Sequence, residues 1–231
     1  MKSITETDSE FICHIDAPCF QMLSHEEIEL VRSSKTQILF RKGDNLTKQG
    51  AFVSYVLFLI TGLAKQFIEG DGNSSYNLKI IAPGEFLGLS AVFSKNTFNY
   101  STIALTDCQA FLVEKTAIER VAKENGSFGF SIIKRYTEHY SYLFDTVRNF
   151  MNKQTNGRLA DAILYIDGLK QRHPDIFQLL LRKDIADFAG ISTETAVKLL
   201  KSFEKDSIIS LKDKDIIVLD KERLINISKT G

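Results

Sequence analysis

The chain has 231 residues and a formal net charge of zero, with 44% hydrophobic and 25% charged residues. This length and composition are ordinary for a globular protein with a real core, built as one large domain or two small ones. The start of the chain is polar and acidic, and the longest apolar-rich run, Ala51 to Ile60, is too short to span a bilayer. We therefore expect a cytoplasmic protein without membrane contact. Three cysteines do not indicate a disulfide framework.

Short apolar runs separated by glycine-containing turns occupy residues 37–113. Two of them flank Gly62, the turn sequence GDGN follows, and Pro83-Gly84 ends another. A final pair of strands flanks Thr106-Asp107. Strands that are many, short and punctuated in this way indicate antiparallel β structure that is closed or arranged in two layers.

The pattern becomes helical from Thr116, and a long helix is predicted from about Phe128 to Met151, with Ser127 as its N-cap. Apolar residues recur along this helix at alternating spacings of three and four, which is typical of the seam by which two helices pair. Because the helix is long for a monomer of this size, we predict a homodimer. The predicted dimer stripe consists of Phe130, Ile133, Thr137, Tyr140, Phe144, Val147 and Met151.

The segment from Arg182 to Ile209 has the pattern of a helix, a tight turn and a second helix. Gly190 lies where the chain must turn sharply, and Ser192 is a favourable N-cap for the second helix. That helix is amphipathic and carries polar groups near its N-terminus, the arrangement with which a helix-turn-helix reads the major groove. The residues predicted to face inward are Ile185, Ala186, Ala189, Ala196, Leu199, Leu200 and Phe203.

Polar side chains on the second helix, and on a wing of two short strands that follows it, are the predicted DNA contacts. The Glu194 carboxylate can accept a hydrogen bond from a cytosine amino group, and the Lys198 ammonium group can contact a guanine or a phosphate. The turn of the wing carries lysines that we expect to contact backbone phosphates. The full predicted set is Arg182, Ser192, Thr193, Glu194, Thr195, Lys198, Lys201, Lys212 and Lys214.

In their order and spacing, these segments resemble the CRP/FNR family of bacterial transcription regulators, from about Leu23 to Leu224. The sequences that carry the resemblance are ILFRKGD, LFLITGLAKQF, IAPGEFLG, NGRLADAIL and DIADFAGISTETAVKLLKSFEKDSIIS. The resemblance implies an α+β fold. Its parts are an effector-sensing, jelly-roll-like β-roll with flanking short helices (1–125), a dimerisation helix (126–151), a hinge (152–155) and a C-terminal winged helix-turn-helix (156–231).

The resemblance also implies the partners. A homodimer of this kind binds a palindromic site on double-stranded DNA and acts on RNA polymerase, and it is not an enzyme. Glu194, Thr195 and Lys198 stand where the family typically has a Glu-Thr pair followed by a basic residue. Thr193 stands where the cyclic-nucleotide members often have arginine, so we expect a different preferred DNA sequence.

Residues 84–102, here called the cassette, match the segment with which family members bind a cyclic nucleotide. Those members hold the ribose with a glutamate and the phosphate with an arginine and a serine, where this chain has Leu89, Asn99 and Tyr100. A buried phosphate without a cationic fork loses its strongest partner, so we predict that neither cyclic AMP nor cyclic GMP is the effector. The resemblance gives the effector-pocket candidates as Gly84, Glu85, Gly88, Leu89, Asn99, Tyr100, Ser101, His139, Leu143 and Phe144.

Two cofactors and one other function class stay open as alternatives. An iron–sulfur cluster usually needs four cysteines, and this chain has Cys13, Cys19 and Cys108. Haem is the other cofactor, and the alternative function is a ligand-binding β-roll whose helix-turn-helix contacts protein. No nucleophile motif, metal-ligand spacing or phosphate loop indicates an enzyme. The candidate haem ligands are His14, His25, His139 and His173.

Overall fold

The structure is a computed structural model that describes residues 2–5, 8, 20–72, 74–93 and 96–231, without the side chains of Phe20, Ala91, His139 and Thr230. Cys13, His14 and Cys19, considered above as cofactor ligands, lie outside the described residues. The predicted α+β fold is confirmed: antiparallel sheets come first, then long helices, then a helix-turn-helix.

The chain forms two compact units. The N-terminal unit comprises Met1–Ile68 and Lys79–Ser141, and the C-terminal unit comprises Glu69–Leu78 and Tyr142–Gly231. The segment Glu69–Leu78 thus groups with the C-terminal unit although Glu69 ends one strand of the β structure and Ser75–Leu78 begin the next. None of the helices in the described part of the chain is long and apolar enough to cross a membrane.

Short antiparallel strands form two sheets ahead of the long helix. One sheet has the order β1-β2-β9-β4-β7 and the other the order β3-β8-β5-β6. The strands are β1 (Lys2–Ile4), β2 (Lys35–Phe40), β3 (Asn45–Thr47), β4 (Tyr55–Thr61), β5 (Ala64–Glu69), β6 (Ser75–Ile81), β7 (Phe86–Leu87), β8 (Ser101–Ala104) and β9 (Cys108–Glu114).

Strand β4, which lies between β9 and β7, is buried on both faces, which explains its almost unbroken apolar sequence. Successive side chains of a strand point to opposite faces. Val56 and Phe58 accordingly belong to a core cluster shared with the helices, whereas Leu57 and Leu59 belong to a second cluster made mainly by residues of the two sheets. The N-terminal unit therefore has two apolar layers, one on each side of the five-stranded sheet.

Within the described residues, the α-helices that accompany these sheets are α1 (His25–Ser33), α2 (Leu89–Val92), α3 (Lys115–Glu124) and α4 (Gly126–Asn152). The predicted N-cap at Ser127 is wrong, because α4 already begins at Gly126. Asn125 takes that role: its Oδ1 accepts a hydrogen bond from the backbone N–H of Phe128 at 3.0 Å. The asparagine side chain meets an N–H group that has no partner within the helix.

The strands on either side of Thr106-Asp107 do not pair with each other, contrary to the hairpin that the sequence suggested. β8 lies in the four-stranded sheet and β9 in the five-stranded sheet. The chain also changes sheets at Gly62, between β4 and β5. The two corners pack tightly, since a Cβ atom on Gly62 would lie 2.3 Å from the carbonyl oxygen of Asp107. Two adjacent sheet-to-sheet crossings, rather than hairpins, thus close this end of the β structure.

The C-terminal unit contains the predicted winged helix-turn-helix. Its elements are α5 (Thr155–Leu169), α6 (Arg182–Ala189), α7 (Thr193–Lys205), β10 (Ile209–Lys212), β11 (Asp215–Val218) and α8 (Lys221–Thr230). β10 and β11 pair antiparallel from Ile209 opposite Val218 to Lys212 opposite Asp215, which forms the wing. The predicted inward-facing side chains are buried except Leu199, which is half-buried.

Two carboxylates on α6 are buried, and segment Glu69–Leu78 donates hydrogen bonds to this helix. The hydroxyl of Ser75 donates to Asp187 Oδ2 at 2.7 Å, and Asn77 Nδ2 donates to the backbone carbonyl of Asp184 at 2.8 Å. Asp184 itself accepts from the backbone N–H of Leu181 at the start of α6. Buried polar groups need such partners, which accounts for the grouping of this segment with the C-terminal unit.

The turn between α6 and α7 depends on Gly190. Its φ of +60° lies in the left-handed region, and the N–H group of Ile191 closes the turn onto Ala186 O at 3.1 Å. A Cβ atom at Gly190 would lie 2.3 Å from Cζ of Phe150. Both the backbone conformation and the space therefore require glycine.

We expect Gly190→Ala to lower the free energy of unfolding by about 1–2 kcal/mol from backbone conformation alone, with further loss as Phe150 shifts. Gly168→Ala is the matched control, because Gly168 lies in α5 without positive φ and with open space around its Cβ position. That control should be neutral or stabilising by up to about 1 kcal/mol. Urea unfolding of both variants measures the difference, and equal stabilities would contradict this account of the turn.

Candidate functional sites

The N-terminal half of α7 presents an exposed polar face. Thr193, Glu194, Lys198 and Lys201 are all exposed. Glu194 and Lys198, one helical turn apart, form an ion pair with 3.1 Å between Oε1 and Nζ, and both side chains are at least 75% exposed. An exposed pair of this kind contributes little to stability, so both partners can be redirected to a ligand at small cost.

Two of the predicted DNA contacts, Ser192 and Thr195, also have a structural task. Ser192 Oγ accepts the backbone N–H of Thr195 at 3.1 Å, and the two hydroxyl oxygens lie 2.8 Å apart. This is the N-cap that the sequence predicted for α7. The cap fixes the end of the helix at which the exposed polar face begins.

Arg182 is half-buried and has a partner within the C-terminal unit, and its assignment as a DNA contact stays a prediction. Its Nη2 donates to the carbonyl oxygen of Asp213 at 3.0 Å, and its Nη1 is buried without a hydrogen-bond partner among the described residues. Burial of the guanidinium lowers the pKa of Arg182, although Asp215 and Glu204 oppose that effect. The side chain therefore joins the start of α6 to the wing, whose turn leaves Lys212 and Lys214 exposed.

The predicted dimer stripe on α4 is exposed along its whole length. Its six apolar or aromatic members are between 55% and 79% exposed, and Thr137 is exposed as well. On the other side of the same helix, Phe128 and Ile132 are buried in the core cluster of the N-terminal unit. A row of large apolar side chains facing water marks a surface suited to another protein surface.

The first part of the cassette is held by internal hydrogen bonds. Gly84 has φ +92°, and its N–H group donates to Leu59 O at 2.8 Å. The Glu85 carboxylate accepts from the N–H group of Ala82 at 3.0 Å and forms an ion pair with Lys79. Glu85 is therefore already paired within the N-terminal unit.

The turn at Gly88 is occupied by aromatic side chains from the end of the cassette. Gly88 has φ +83°, and its N–H group donates to the Tyr100 hydroxyl at 2.9 Å. A Cβ atom on Gly88 would lie 2.7 Å from Cε1 of Phe98. Burial raises the pKa of Tyr100 to about 12. The backbone group that this turn offers is thus already bound to a neutral phenol.

The remaining pocket candidates lie in different surroundings. Leu89 is 8% exposed and packs in the core cluster, whereas Asn99 is exposed. Ser101 is fully buried and its hydroxyl accepts the N–H group of Gln49 at 2.9 Å. Leu143 and Phe144 fall in the C-terminal unit, and His139 is placed in α4 without a described side chain.

Cys108 is the candidate iron–sulfur ligand that lies within the described residues. Cys108 is fully buried, its Sγ lies 3.3 Å from both Leu63 O and Thr106 O, and burial raises its pKa to about 11. A metal ligand must be a thiolate, which this environment disfavours. No group of three or more potential His, Cys, Asp or Glu ligands occurs in the described part of the chain.

Comparisons with known proteins cover both units. Residues 37–125 match the cyclic nucleotide-binding domain, and residues 157–227 match the Crp-like helix-turn-helix domain. The chain is 20% identical to the "Anaerobic regulatory protein" of Bacillus subtilis, over 87% of this chain and 86% of that protein. It is 22% identical to the "cAMP-activated global transcriptional regulator CRP" of Pasteurella multocida, over 88% and 95%. Its fold is similar to that of FixK2 from Bradyrhizobium japonicum, with a TM-score of 0.72 at 19% identity, covering 85% of this chain and 98% of FixK2.

Proposed function

The chain belongs to the CRP/FNR family of transcription regulators, and we propose that it is a homodimeric, sequence-specific DNA-binding regulator that does not respond to cyclic AMP or cyclic GMP. Regulators of this family bind DNA through the helix-turn-helix and are not enzymes. The observation that carries the proposal is the exposed polar face of α7 on a capped helix-turn-helix. RNA polymerase as a second partner and a cytoplasmic location are parts of the same proposal.

The proposed DNA contacts are those side chains that remain exposed. Glu194 and Lys198 can exchange their mutual ion pair for a base edge and a phosphate or guanine. Lys212 and Lys214 extend the cationic surface onto the wing, where phosphate contacts fix register. Thr193 and Lys201 complete the exposed set, while Ser192 and Thr195 hold the end of the helix.

The proposed dimer is supported by the exposed stripe on α4. Its members follow the three-and-four spacing of a helix pair, and the apolar ones are more than half exposed. A second copy of the same stripe is self-complementary about a two-fold axis, and a two-fold dimer matches a palindromic site. Burying the stripe against its copy removes this apolar surface from water.

The proposed independence from cyclic nucleotides is supported by the cassette. No arginine occurs between Arg41 and Arg120, so the phosphate has no guanidinium partner from this segment. The N–H group of Gly88 is bound to Tyr100, and Leu89 is part of the core. The relatives carry names that refer to different signals, one anaerobic and one cyclic AMP, so likeness to them does not supply an effector.

We expect Lys198→Ala to weaken binding to a duplex site selected from random sequence and to lower the slope of log K against log salt by about 1, because one phosphate contact is lost. Glu194→Ala should cost about 1–3 kcal/mol of discrimination at one base pair. Fluorescence anisotropy across a salt series measures both effects.

Lys123→Ala is the matched control for Lys198→Ala. Lys123 is 71% exposed and pairs with Glu119 one turn earlier on α3, the same arrangement as the pair on α7. Its loss should leave affinity and salt slope unchanged. If Lys198→Ala behaves like this control, α7 is not the DNA-reading helix. Binding of a protein but of no duplex would favour the helix-turn-helix as a protein contact instead.

We expect the protein to sediment as a dimer at micromolar concentration and Phe144→Glu to sediment as a monomer, because a charge in the stripe has no partner in an apolar interface. Phe52→Glu is the control, since Phe52 is 83% exposed but belongs to the β structure and not to α4. It should remain a dimer. A wild-type monomer, or equal dimer fractions for the two variants, would contradict the proposed interface.

A further inference from the structure

We propose that Tyr100 is a built-in occupant of the cassette: its side chain takes the place of an external ligand and holds the effector domain in its DNA-binding state. This inference rests on the proposed function, because it assumes that the chain binds DNA. The inference explains why the protein would bind DNA without a small-molecule effector. The group that occupies the cassette is a neutral phenol, and the chain itself supplies it.

The phenol of Tyr100 lies against the turn at Gly88. The Tyr100 hydroxyl lies 2.9 Å from the backbone nitrogen of Gly88, at a turn whose positive φ is open mainly to glycine. Phe98 closes the same turn: its ring meets the Cβ position of Gly88, and the Phe98 and Tyr100 ring centroids are 6.2 Å apart. The two aromatic rings leave the N–H group of Gly88 no access to another acceptor.

The polar surroundings of the hydroxyl also support the proposal. The side chain of Gln66, only 2% exposed, belongs to these surroundings. Gln66 Oε1 is buried and has no hydrogen-bond partner in the described part of the chain. Removal of the phenol would leave the buried N–H group of Gly88 without its acceptor, in addition to the unpartnered Gln66 Oε1. Such a site binds a small molecule that combines an aromatic body with one hydroxyl group.

Contacts connect the cassette to α4 within the N-terminal unit. Leu89, the residue after Gly88, belongs to the core cluster against which Tyr136 on α4 packs. The guanidinium of Arg135 lies 5.6 Å from the ring of Phe86, two residues before Gly88. The turn that Tyr100 fixes is thus flanked on both sides by contacts to the helix that carries the proposed dimer stripe. Loss of Tyr100 should loosen that helix and, through it, weaken DNA binding.

The test removes the tyrosine side chain and returns it as a free molecule. Tyr100→Ala should unfold at a lower temperature than the wild type and bind the selected duplex at least about fivefold more weakly, the lower end of usual coupling between sites. Millimolar p-cresol, which is the tyrosine side chain alone, should restore both properties. Toluene should restore them less, because it lacks the hydroxyl group that accepts a hydrogen bond from Gly88.

The matched control is Tyr55→Ala, which removes the same side chain from a 42% exposed position at the start of β4. p-Cresol should change neither its unfolding temperature nor its DNA affinity. Wild-type DNA affinity in Tyr100→Ala, with only the unfolding temperature lowered, would overturn the proposal and leave Tyr100 as a filler of the core. Equal rescue by p-cresol and toluene would overturn the role of the hydroxyl group.

Tyr100→Phe keeps the ring and decides the matter if the alanine variant does not fold. Its DNA affinity should fall, and an unchanged affinity would overturn the proposal. A pH series adds a second readout. The pKa of Tyr100 is raised from 10.0 to about 12, so the unfolded chain loses this proton first and wild-type stability falls as the pH rises through that interval. Tyr136 and Glu85, which face the hydroxyl, remain in the phenylalanine variant, so the smaller fall expected there isolates Tyr100.

Failure of the proposed function gives a different result. If the wild-type protein binds no duplex at all, the DNA readout is lost for every variant and the regulator proposal fails. Rescue of the unfolding temperature by p-cresol would then show only that Tyr100 fills the turn, and the proposed hold on a DNA-binding state would be overturned together with the regulator proposal. Wild-type duplex binding that Tyr100→Ala leaves unchanged overturns the present proposal alone.

Discussion

The backbone N–H group of Gly88 is the constraint on which the sensory half of the molecule depends. Gly88 has a positive φ, and its Cβ position is blocked by the Phe98 ring. Its buried N–H group therefore needs a hydrogen-bond acceptor from a neighbouring part of the chain. In this chain the partner is the Tyr100 hydroxyl, and burial raises the pKa of that phenol to about 12. The cassette, which lies within the residues that match the cyclic nucleotide-binding domain, thus has this backbone group bound by one of its own side chains.

The surfaces that remain open are those suited to macromolecules. The polar face of α7 is exposed and its single ion pair is weakly held, while the apolar stripe of α4 is more than half exposed. Both surfaces remain exposed to solvent in the single chain. In the cassette, by contrast, Glu85, Gly88 and Ser101 all have hydrogen-bond partners within the chain. This difference separates a closed sensory site from two open binding surfaces, and it fits a regulator that pairs and binds DNA without a cyclic nucleotide.

Local rules explain what the sequence could predict. The turn at Gly190 and the cap at Ser192 follow from backbone geometry over a few residues, and the stripe on α4 follows from spacing along one helix. Partners distant in sequence were not predictable. The strands predicted on either side of Gly62, and those on either side of Thr106-Asp107, lie in different sheets, and no local signal in the sequence indicates such a crossing. Arg182 was assigned to DNA by its charge, although its partner is a carbonyl of the wing. The sequence shows that Tyr100 stands where cyclic-nucleotide-binding members of the family have a serine. It does not show that the tyrosine side chain occupies the turn at Gly88.

The central claim is that the cassette is closed to cyclic nucleotides by the chain itself. Titration calorimetry of the purified full-length protein with cyclic AMP, and separately with cyclic GMP, tests it most directly. We predict no binding heat at micromolar to millimolar nucleotide and no change in the temperature of unfolding. Saturable binding of either nucleotide with one site per chain would contradict the account, because it would require Tyr100 to leave the N–H group of Gly88.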